Sequence, residues 1–330
     1  MKRLVSLIIS LLILAIIYWK IDVRGLLQVF QTCNSTWLVI SLGMVVPITM
    51  ITSWRLQQLM PTPSRSQPHN TLEPPLLGFG EANRLILVAS VLNMVLPSKM
   101  GDIAKAYFMR ERGHLSGSLS LSLVIFEKTC DMLSLLIWCA FGLLLFPHKD
   151  WFFGVMTVSV ISGLIIGGLL LSSRSFARFF FDLGQALTPT QLRMKLATLQ
   201  TSWQEMHAYF WCDSVQLLKI AITSVFIWFL HLLQIWLFIL TLNAWAPFVA
   251  NLALSPLAIL AGLLPLTFAG VGTRDAALIL FYQPFLNTPT AAALGVLCTS
   301  RYILPAVAGL HSCGNTLPIS SVCASCVIAQ

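Results

Sequence analysis

The chain has 330 residues, of which 57% are hydrophobic and 10% are charged, and its mean hydropathy is +0.83. A soluble domain carries about 25% charged residues, so this composition excludes a soluble globular protein. It also excludes a disordered chain, a small disulfide scaffold and a nucleic-acid-binding module. The net charge of +8 is typical of a multi-spanning membrane protein whose basic loops set its orientation and contact anionic headgroups.

Apolar runs of membrane-spanning length recur along the chain. The first, residues 4–19, ends at Tyr18 and Trp19 without a signal-peptidase site, so we interpret it as a transmembrane helix. Further spans are predicted at 36–54, 119–146, 151–173, 219–243, 245–264 and 290–310. The run at 245–264 leads directly into a break at Leu264-Pro265.

Two other apolar segments are too short to cross a bilayer, which takes roughly twenty helical residues. They are residues 84–97 and residues 275–285, and we predict that 84–97 is a re-entrant half-helix. The proline-rich polar stretch before it, residues 61–75, is predicted to be a surface loop. The predicted fold class is therefore all-α, a polytopic protein with about six full spans and two re-entrant broken segments.

A polar region at 174–218 contains an apolar stripe with helical spacing. Its members are Leu192, Leu196, Leu199, Trp203, Met206 and Phe210. We predict an amphipathic helix that packs on its own domain or lies at the membrane interface, in preference to one that docks a partner protein.

The distribution of basic residues predicts the topology. With a cytoplasmic N-terminus and a re-entrant 84–97, the segment 55–118 is cytoplasmic and holds Arg55, Arg65, Arg84, Lys99, Lys105, Arg110 and Arg112. The cytoplasmic 174–218 region adds Arg174, Arg178, Arg193 and Lys195, whereas the outside loops hold Lys20, Arg24 and Lys149. A full crossing at 84–97 would invert everything after it, so the positive-inside rule favours re-entrance.

The two broken segments share a local pattern, Leu-Pro followed after three or four residues by Gly. The pattern occurs at Leu96–Gly101 and at Leu264–Gly270. Proline removes a backbone donor and glycine permits a turn, so each segment should unwind inside the protein. Paired interrupted segments are typical of a transport site between inverted repeats. Two unrelated proline kinks are an equal alternative.

Ionisable residues within predicted membrane segments are the stronger functional signal. Glu127, Lys128 and Asp131 occur in one span, Arg274 and Asp275 follow the second break, and Arg301 lies in the last span. Each costs roughly 2.5 to 3.5 kcal/mol at a bilayer centre, so such residues should face a polar interior and pair. We predict a functional site, and the alternative is a set of ion pairs that only fix helix packing.

Motifs for other chemistry are absent from the sequence. The six histidines show no metal-ligand spacing, and Cys323 and Cys326 form an isolated C-x-x-C that we interpret as incidental. The sequence contains no nucleophile elbow, Walker loop or carboxylate-rich metal motif. We therefore predict no catalytic residues, no metal and no cofactor.

Four segments together resemble the lysylphosphatidylglycerol synthase transmembrane-region, flippase-like family in their order and spacing. They are Asn93–Tyr107, Glu127–Asp131, Leu264–Ala277 and Arg301. The resemblance covers residues 1–310 and implies a multi-pass protein of a bacterial or archaeal inner membrane. The implied protein is akin to the domain thought to move aminoacylated phosphatidylglycerol between leaflets, and other relatives occur beside lipid and glycan pathways.

The resemblance and the charges together lead to one functional hypothesis. The chain is predicted to be a lipid flippase or transporter for a phospholipid or lipid-linked headgroup, and the alternative is an integral-membrane enzyme, enzyme subunit or scaffold that serves lipid or glycan modification. The predicted partners are membrane lipids, anionic, aminoacylated or sugar-linked, with pathway enzymes as further partners and no nucleic acid. The substrate-binding residues are predicted to be Asn93, Pro97, Gly101, Asp102, Lys105, Glu127, Lys128, Asp131, Pro265, Gly270, Gly272, Arg274, Asp275 and Arg301.

The chain also departs from the family pattern. Lys105 stands where the family usually has Arg, and Asp275 stands where it usually has Glu, so charge is kept while side-chain reach differs. No aminoacyl-transferase domain is expected from these residues. We predict one transmembrane domain over 1–310 and a divergent or truncated tail over 311–330.

Overall fold

A computed structural model describes residues 23–60, 77–95, 101–111, 115, 117–145, 151–188, 190–263 and 272–313. Every regular element in these residues is an α-helix, which confirms the predicted all-α class. The predicted span at 4–19, the loop at 61–75, the tail beyond 313 and the site residues Pro97, Pro265 and Gly270 lie outside the described residues.

The described helices lie between Val23 and Cys313. In chain order they are α1 (Val23–Gln31), α2 (Ser35–Gly43), α3 (Val45–Leu59), α4 (Phe79–Val95), α5 (Gly101–Glu111), α6 (Gly117–Leu145), α7 (Trp151–Ser172), α8 (Arg174–Leu187), α9 (Thr190–Cys212), α10 (Ser214–Thr241), α11 (Phe248–Leu263), α12 (Thr273–Tyr282) and α13 (Thr288–Cys313).

Five stretches of the described chain are long and apolar enough to cross a membrane. They are the α2–α3 pair (Ser35–Leu59), Leu119–Leu145 in α6, Phe153–Ser172 in α7, α10, and Thr288–Leu310 in α13. They match the spans predicted at 36–54, 119–146, 151–173, 219–243 and 290–310. The protein is thus an all-helical polytopic membrane protein.

The segment predicted as a full span at 245–264 differs in the structure. Helix α11 has 16 residues, which at 1.5 Å per residue rise about 24 Å, less than the roughly 30 Å of a hydrocarbon core. It packs against α12 as a helical hairpin, which we call the second hairpin. Helix α4 has 17 residues and begins at Phe79, five residues before the predicted start, and it pairs with α5 as the first hairpin.

Each hairpin packs on a span from the other half of the chain. Helix α4 packs against α13, and helix α11 packs against α6. Helices α3, α4, α5 and α6 of the first half correspond in order to α10, α11, α12 and α13 of the second half. Under this correspondence, the contact of α4 with α13 becomes the contact of α11 with α6. The packing of each hairpin on its neighbouring spans is also repeated. The described helices therefore carry the internal correspondence that the shared Leu-Pro pattern suggested.

The crossed contacts bring helix backbones unusually close. A Cβ atom at Gly142 of α6 would lie 2.3 Å from the carbonyl oxygen of Ala253 in α11. A Cβ atom at Gly309 of α13 would lie 2.5 Å from the carbonyl oxygen of Leu87 in α4. Small residues allow this approach between membrane helices, and corresponding helices use it in both halves.

Helices α8 and α9 form the polar region between the halves. Trp203, Met206 and Phe210 of the predicted stripe are buried, and Phe210 stacks on Phe126 of α6 with ring centroids 4.3 Å apart. The prediction that this stripe packs on its own domain is confirmed for these three residues. Burial lowers the pKa of His207 on α9, which keeps its ring neutral, and its Nδ1 accepts a hydrogen bond from Arg174 Nε at 3.2 Å.

The leading spans of the two halves are joined by polar contacts. The main-chain N–H of Asn34 donates to the carbonyl of Thr241 at 2.8 Å, and Gln234 Nε2 donates to the carbonyl of Ser41 at 2.9 Å. These bonds connect α2 and its preceding residue with α10. The two halves are therefore hydrogen-bonded to each other at one end of their leading spans.

The crossed packing predicts that Gly142→Ala destabilises the protein. The added methyl group would displace a main-chain carbonyl, which costs about 1 to 3 kcal/mol in an overpacked core, and thermal unfolding of the purified protein in detergent measures the loss. Gly154→Ala is the matched control, because nothing lies within 4 Å of that position in α7. It should be neutral or stabilising by about 0.5 to 1 kcal/mol. Equal midpoints for both variants would contradict the close contact.

The re-entrant arrangement predicts the sidedness of three exposed positions. Single cysteines placed at Glu111, Glu205 and Gln283 in a background without the eight native cysteines should react from the cytoplasm for the first two and from outside for the third. The expectation follows from the basic-residue count with both hairpins re-entrant. Labelling of position 205 from outside, with position 111 cytoplasmic, would mean that the α6–α7 pair does not return the chain to its starting side.

Candidate functional site

A cluster of ionisable residues joins the first hairpin to its neighbouring spans. We call it the Arg55 cluster, and its members are Arg55 on α3, Asp102 and Lys105 on α5, and Glu127, Lys128 and Asp131 on α6. Three of these residues are basic and three are acidic, so their formal charges balance. Five of them belong to the predicted site, and the structure brings those five together.

Arg55 forms the buried centre of the cluster. Its Nη2 donates to Glu127 Oε1 at 2.9 Å, and its guanidinium also donates to both carboxylate oxygens of Asp131. Ser224 on α10 accepts a further hydrogen bond from Nη1 at 3.0 Å. One guanidinium thus connects α3 with α6 and α10, and its charge is compensated by two carboxylates.

The remaining contacts run towards the exposed edge of the cluster. Lys105 Nζ lies 2.7 Å from Glu127 Oε2 and 3.4 Å from Asp102 Oδ1. Lys128 Nζ lies 2.9 Å from Asp102 Oδ2 and 3.6 Å from Asp131 Oδ2. The Lys128 side chain is 45% exposed, whereas those of Lys105 and Glu127 are 2% and 1% exposed. The cluster therefore extends from the interior to an accessible surface.

Asn93 and Gly101 position the start of α5 against α4. The Asn93 side chain accepts a hydrogen bond from the Gly101 N–H at 2.9 Å. A Cβ atom at position 101 would lie 2.2 Å from the Ala89 carbonyl oxygen, so only glycine allows this approach. Asp102 follows directly, and Lys105 is one turn further along α5, which places both side chains in the Arg55 cluster.

A second charged group lies at the second hairpin. Arg274 Nη2 and Nε donate to Asp275 Oδ1 at 2.7 and 3.1 Å, and we call these two residues the Arg274 pair. Arg274 Nη2 also lies 2.7 Å from Thr299 Oγ1 and 3.2 Å from the Gly295 carbonyl oxygen. The pair thus connects α12 to α13.

Gly272 shapes the start of α12. Its φ of 99° is a left-handed conformation that side-chain-bearing residues rarely adopt, and its N–H donates to Asp275 Oδ2 at 3.1 Å. Asp275 therefore serves both the helix start and Arg274. Gly272, Arg274 and Asp275 of the predicted site are adjacent in the structure.

Arg301 lies on the buried side of α13 and is 4% exposed. Its Nη2 donates to the Tyr302 hydroxyl at 2.8 Å, and the guanidinium carbon is 4.8 Å from the centroid of the same ring. Arg274 contacts the same helix at Gly295 and Thr299, within two turns of Arg301. The second half therefore gathers two guanidinium groups and one carboxylate near α13.

Arg55 is the important residue that the sequence reasoning missed. It was counted as a charge of a cytoplasmic segment, because it follows Trp54 at the end of the predicted span 36–54. The structure buries it at 2% exposure, with acidic partners 72 and 76 positions away in the sequence. The sequence did contain a signal, because Arg55 lies at the end of an apolar helix that has no acidic residue nearby in the sequence.

Comparison with known proteins identifies the family of this chain. The family model for the lysylphosphatidylglycerol synthase TM region matches residues 3–309. The chain belongs to that family. The resemblance drawn from the four motifs is thereby confirmed, and the family match contains both hairpins, the Arg55 cluster, the Arg274 pair and Arg301.

A curated relative extends the comparison to an archaeal protein. The chain is 22% identical over 335 aligned positions to the UPF0104 membrane protein MJ1595 of Methanocaldococcus jannaschii, and the alignment covers 93% of each chain. Both proteins therefore share nearly their whole length. The relative is described as a membrane protein, in agreement with the helical spans of this member of the lysylphosphatidylglycerol synthase TM region family.

Removal of Arg55 should strongly destabilise the protein. Arg55→Gln leaves Glu127 and Asp131 without their shared partner in a buried site, which costs about 3 to 5 kcal/mol. Thermal unfolding of purified protein measures the effect, with the exposed Arg178→Gln as a charge-matched control that should change stability by less than about 0.5 kcal/mol. Adding Asp131→Asn to Arg55→Gln should restore part of the loss, since one stranded charge is removed.

Proposed function

We propose that the protein moves a phospholipid or lipid-linked headgroup between the leaflets of a bacterial or archaeal cytoplasmic membrane. The observation that carries the proposal is the crossed pair of hairpins, each packed on a span of the opposite half and each bearing ionisable side chains on its second helix. Broken helices in corresponding halves are typical of transporters that bind their substrate between repeats.

A lipid headgroup needs such a route because its polar atoms lose their hydration in hydrocarbon. A charged group at the bilayer centre costs several kcal/mol unless protein groups replace the lost water. The Arg55 cluster and the Arg274 pair keep ionised groups inside the helical bundle by neutralising most of them internally. The same polar interior would lower the barrier for a headgroup while the acyl chains remain in lipid.

The predicted topology places the two hairpins on opposite sides of the membrane. With a cytoplasmic N-terminus, the first hairpin enters from the cytoplasm and the second from outside. Two hairpins that start from opposite faces could each open the interior to one leaflet, as alternating access requires. Lys128, the exposed member of the Arg55 cluster, lies where a headgroup arriving from one leaflet would first contact the charged interior.

Leaflet exchange measured together with lipid mass tests the proposal. Proteoliposomes that hold a headgroup-intact phospholipid with a fluorescent acyl chain should expose the inner-leaflet label to a membrane-impermeant quencher faster than protein-free liposomes do. The lipid mass should stay unchanged. No protein-dependent exchange of any lipid would contradict the proposal, and a mass change would identify an enzyme.

A substitution at the exposed edge of the Arg55 cluster tests whether the cluster takes part in lipid exchange. Lys128→Gln removes the exposed cation that bridges Asp102 and Asp131, and we expect it to slow exchange about tenfold with only a small change in thermal stability, because the side chain is half-exposed. Arg178→Gln removes the same charge from an exposed position on α8 and should exchange lipid at the wild-type rate. Equal slowing in both variants would indicate a nonspecific effect of net charge.

A further inference from the structure

Arg301 differs from the other buried basic residues in that no described carboxylate pairs with it, whereas Arg55, Lys105 and Arg274 each contact one or more. Its Nε and Nη1 atoms are buried and have no hydrogen-bond partner among the described residues. The Nη2 atom alone is bonded, to the neutral Tyr302 hydroxyl. A buried, unpaired guanidinium is costly in hydrocarbon, so a protein that retains one gains from an anion that binds there.

The charge balance of the described interior points to the same conclusion. The carboxylates of Asp102, Glu127 and Asp131 are paired within the Arg55 cluster, and Asp275 is paired with Arg274. Within the described residues, these ion pairs leave Arg301 as a positive charge near α13 with no carboxylate facing it. The described interior thus favours a ligand with a net negative charge, because each of these four described carboxylates is already paired with a cation.

The shape of the free donors specifies the anion further. The Nε and Nη1 atoms belong to a planar guanidinium, which binds carboxylate or phosphate oxygens through directed hydrogen bonds. Pro305 lies four residues after Arg301 inside α13 and has no N–H, so the Arg301 carbonyl lacks its helical donor. A phosphate next to a hydroxyl group would supply both the acceptors and the missing donor.

We propose that Arg301 binds a phosphate monoanion, carried by a lipid headgroup, and that the site therefore prefers anionic phosphodiester lipids over aminoacylated, cationic ones. This inference rests on the proposed transport function for its source of ligand. Arg274 has a different role, because Asp275 already compensates its charge, and it holds the second hairpin against α13. Arg301 is the residue of the second half that binds the phosphate of the substrate.

A structural arginine and a ligand-binding arginine respond oppositely to neutralisation. Arg301→Gln should leave the thermal midpoint of the lipid-free protein unchanged or raise it, because no described carboxylate loses a partner. Arg55→Gln, which strands two carboxylates, should lower the midpoint and serves as the comparison. If Arg301→Gln lowers the midpoint as far as Arg55→Gln does, Arg301 has a structural anionic partner and the proposal is wrong.

Binding of defined probes tests the ligand class. Phosphatidylglycerol, lysylphosphatidylglycerol and inorganic phosphate are titrated into detergent-purified protein, and the rise in thermal midpoint is recorded for wild type, Arg301→Gln, Arg301→Lys and the exposed control Arg178→Gln. We expect phosphatidylglycerol to bind wild type and the control at least about tenfold more tightly than Arg301→Gln, with Arg301→Lys in between. Lysylphosphatidylglycerol should bind wild type more weakly.

The pattern of results separates the possible sources of the phosphate. Protection by inorganic phosphate alone, lost in Arg301→Gln, would support the anion site while overturning its assignment to a lipid. Equal binding of both lipids, or binding independent of Arg301, would overturn the proposal. Lipid exchange in proteoliposomes that persists in Arg301→Gln would leave the transport function standing and remove only the role given to Arg301.

Discussion

The neutralisation of charge in a medium that cannot solvate it is the constraint on which this structure depends. Arg55 compensates Glu127 and Asp131, and Lys105 adds a second cation to Glu127. These contacts connect helices from separate parts of the sequence, so charge pairing also determines which helices are neighbours. Isolated buried charges would each cost several kcal/mol, and their mutual arrangement removes most of that cost.

Main-chain contacts complement the ion pairs. The crossed packing of α4 on α13 and of α11 on α6 depends on Gly309 and Gly142, where a side chain would strike a carbonyl oxygen of the facing helix. Water release contributes little between helices in lipid, so close van der Waals approach supplies much of the association energy. The two halves are thus held together in part by close approach of their helix backbones, without polar side-chain contacts at these two positions.

Much of the fold was accessible from the sequence because membrane helices follow hydropathy and length. The spans at 36–54, 119–146, 151–173, 219–243 and 290–310 have counterparts in the structure. The 245–264 span was overestimated, because the apolar run includes residues 245–247 before the helix begins at Phe248. Hydropathy does not distinguish a short helix of a hairpin from a crossing helix when the difference is a single turn.

The candidate site was less accessible for a physical reason. Local sequence identified the charged residues of α6, α12 and α13, since each is conspicuous in an apolar setting, and the family resemblance added Asp102 and Lys105 of α5. Pairing is a property of tertiary structure, and Arg55 meets its acids only because α3 packs beside α6. The sequence therefore predicted that the charges pair without predicting which residues do so, and the unpaired donors of Arg301 became visible only after the other pairs were known.

The shortness of α4 and α11 has a consequence for the surrounding lipid. Helices of 17 and 16 residues span less than a bilayer of ordinary thickness, and the hydrocarbon around such elements thins or the flanking residues reach outward. Both short helices lie in the hairpins, so we expect any thinning of the bilayer to centre on the part of the protein that carries the charges. The acyl-chain length of the surrounding lipid should then determine the elastic energy of the bilayer around the hairpins.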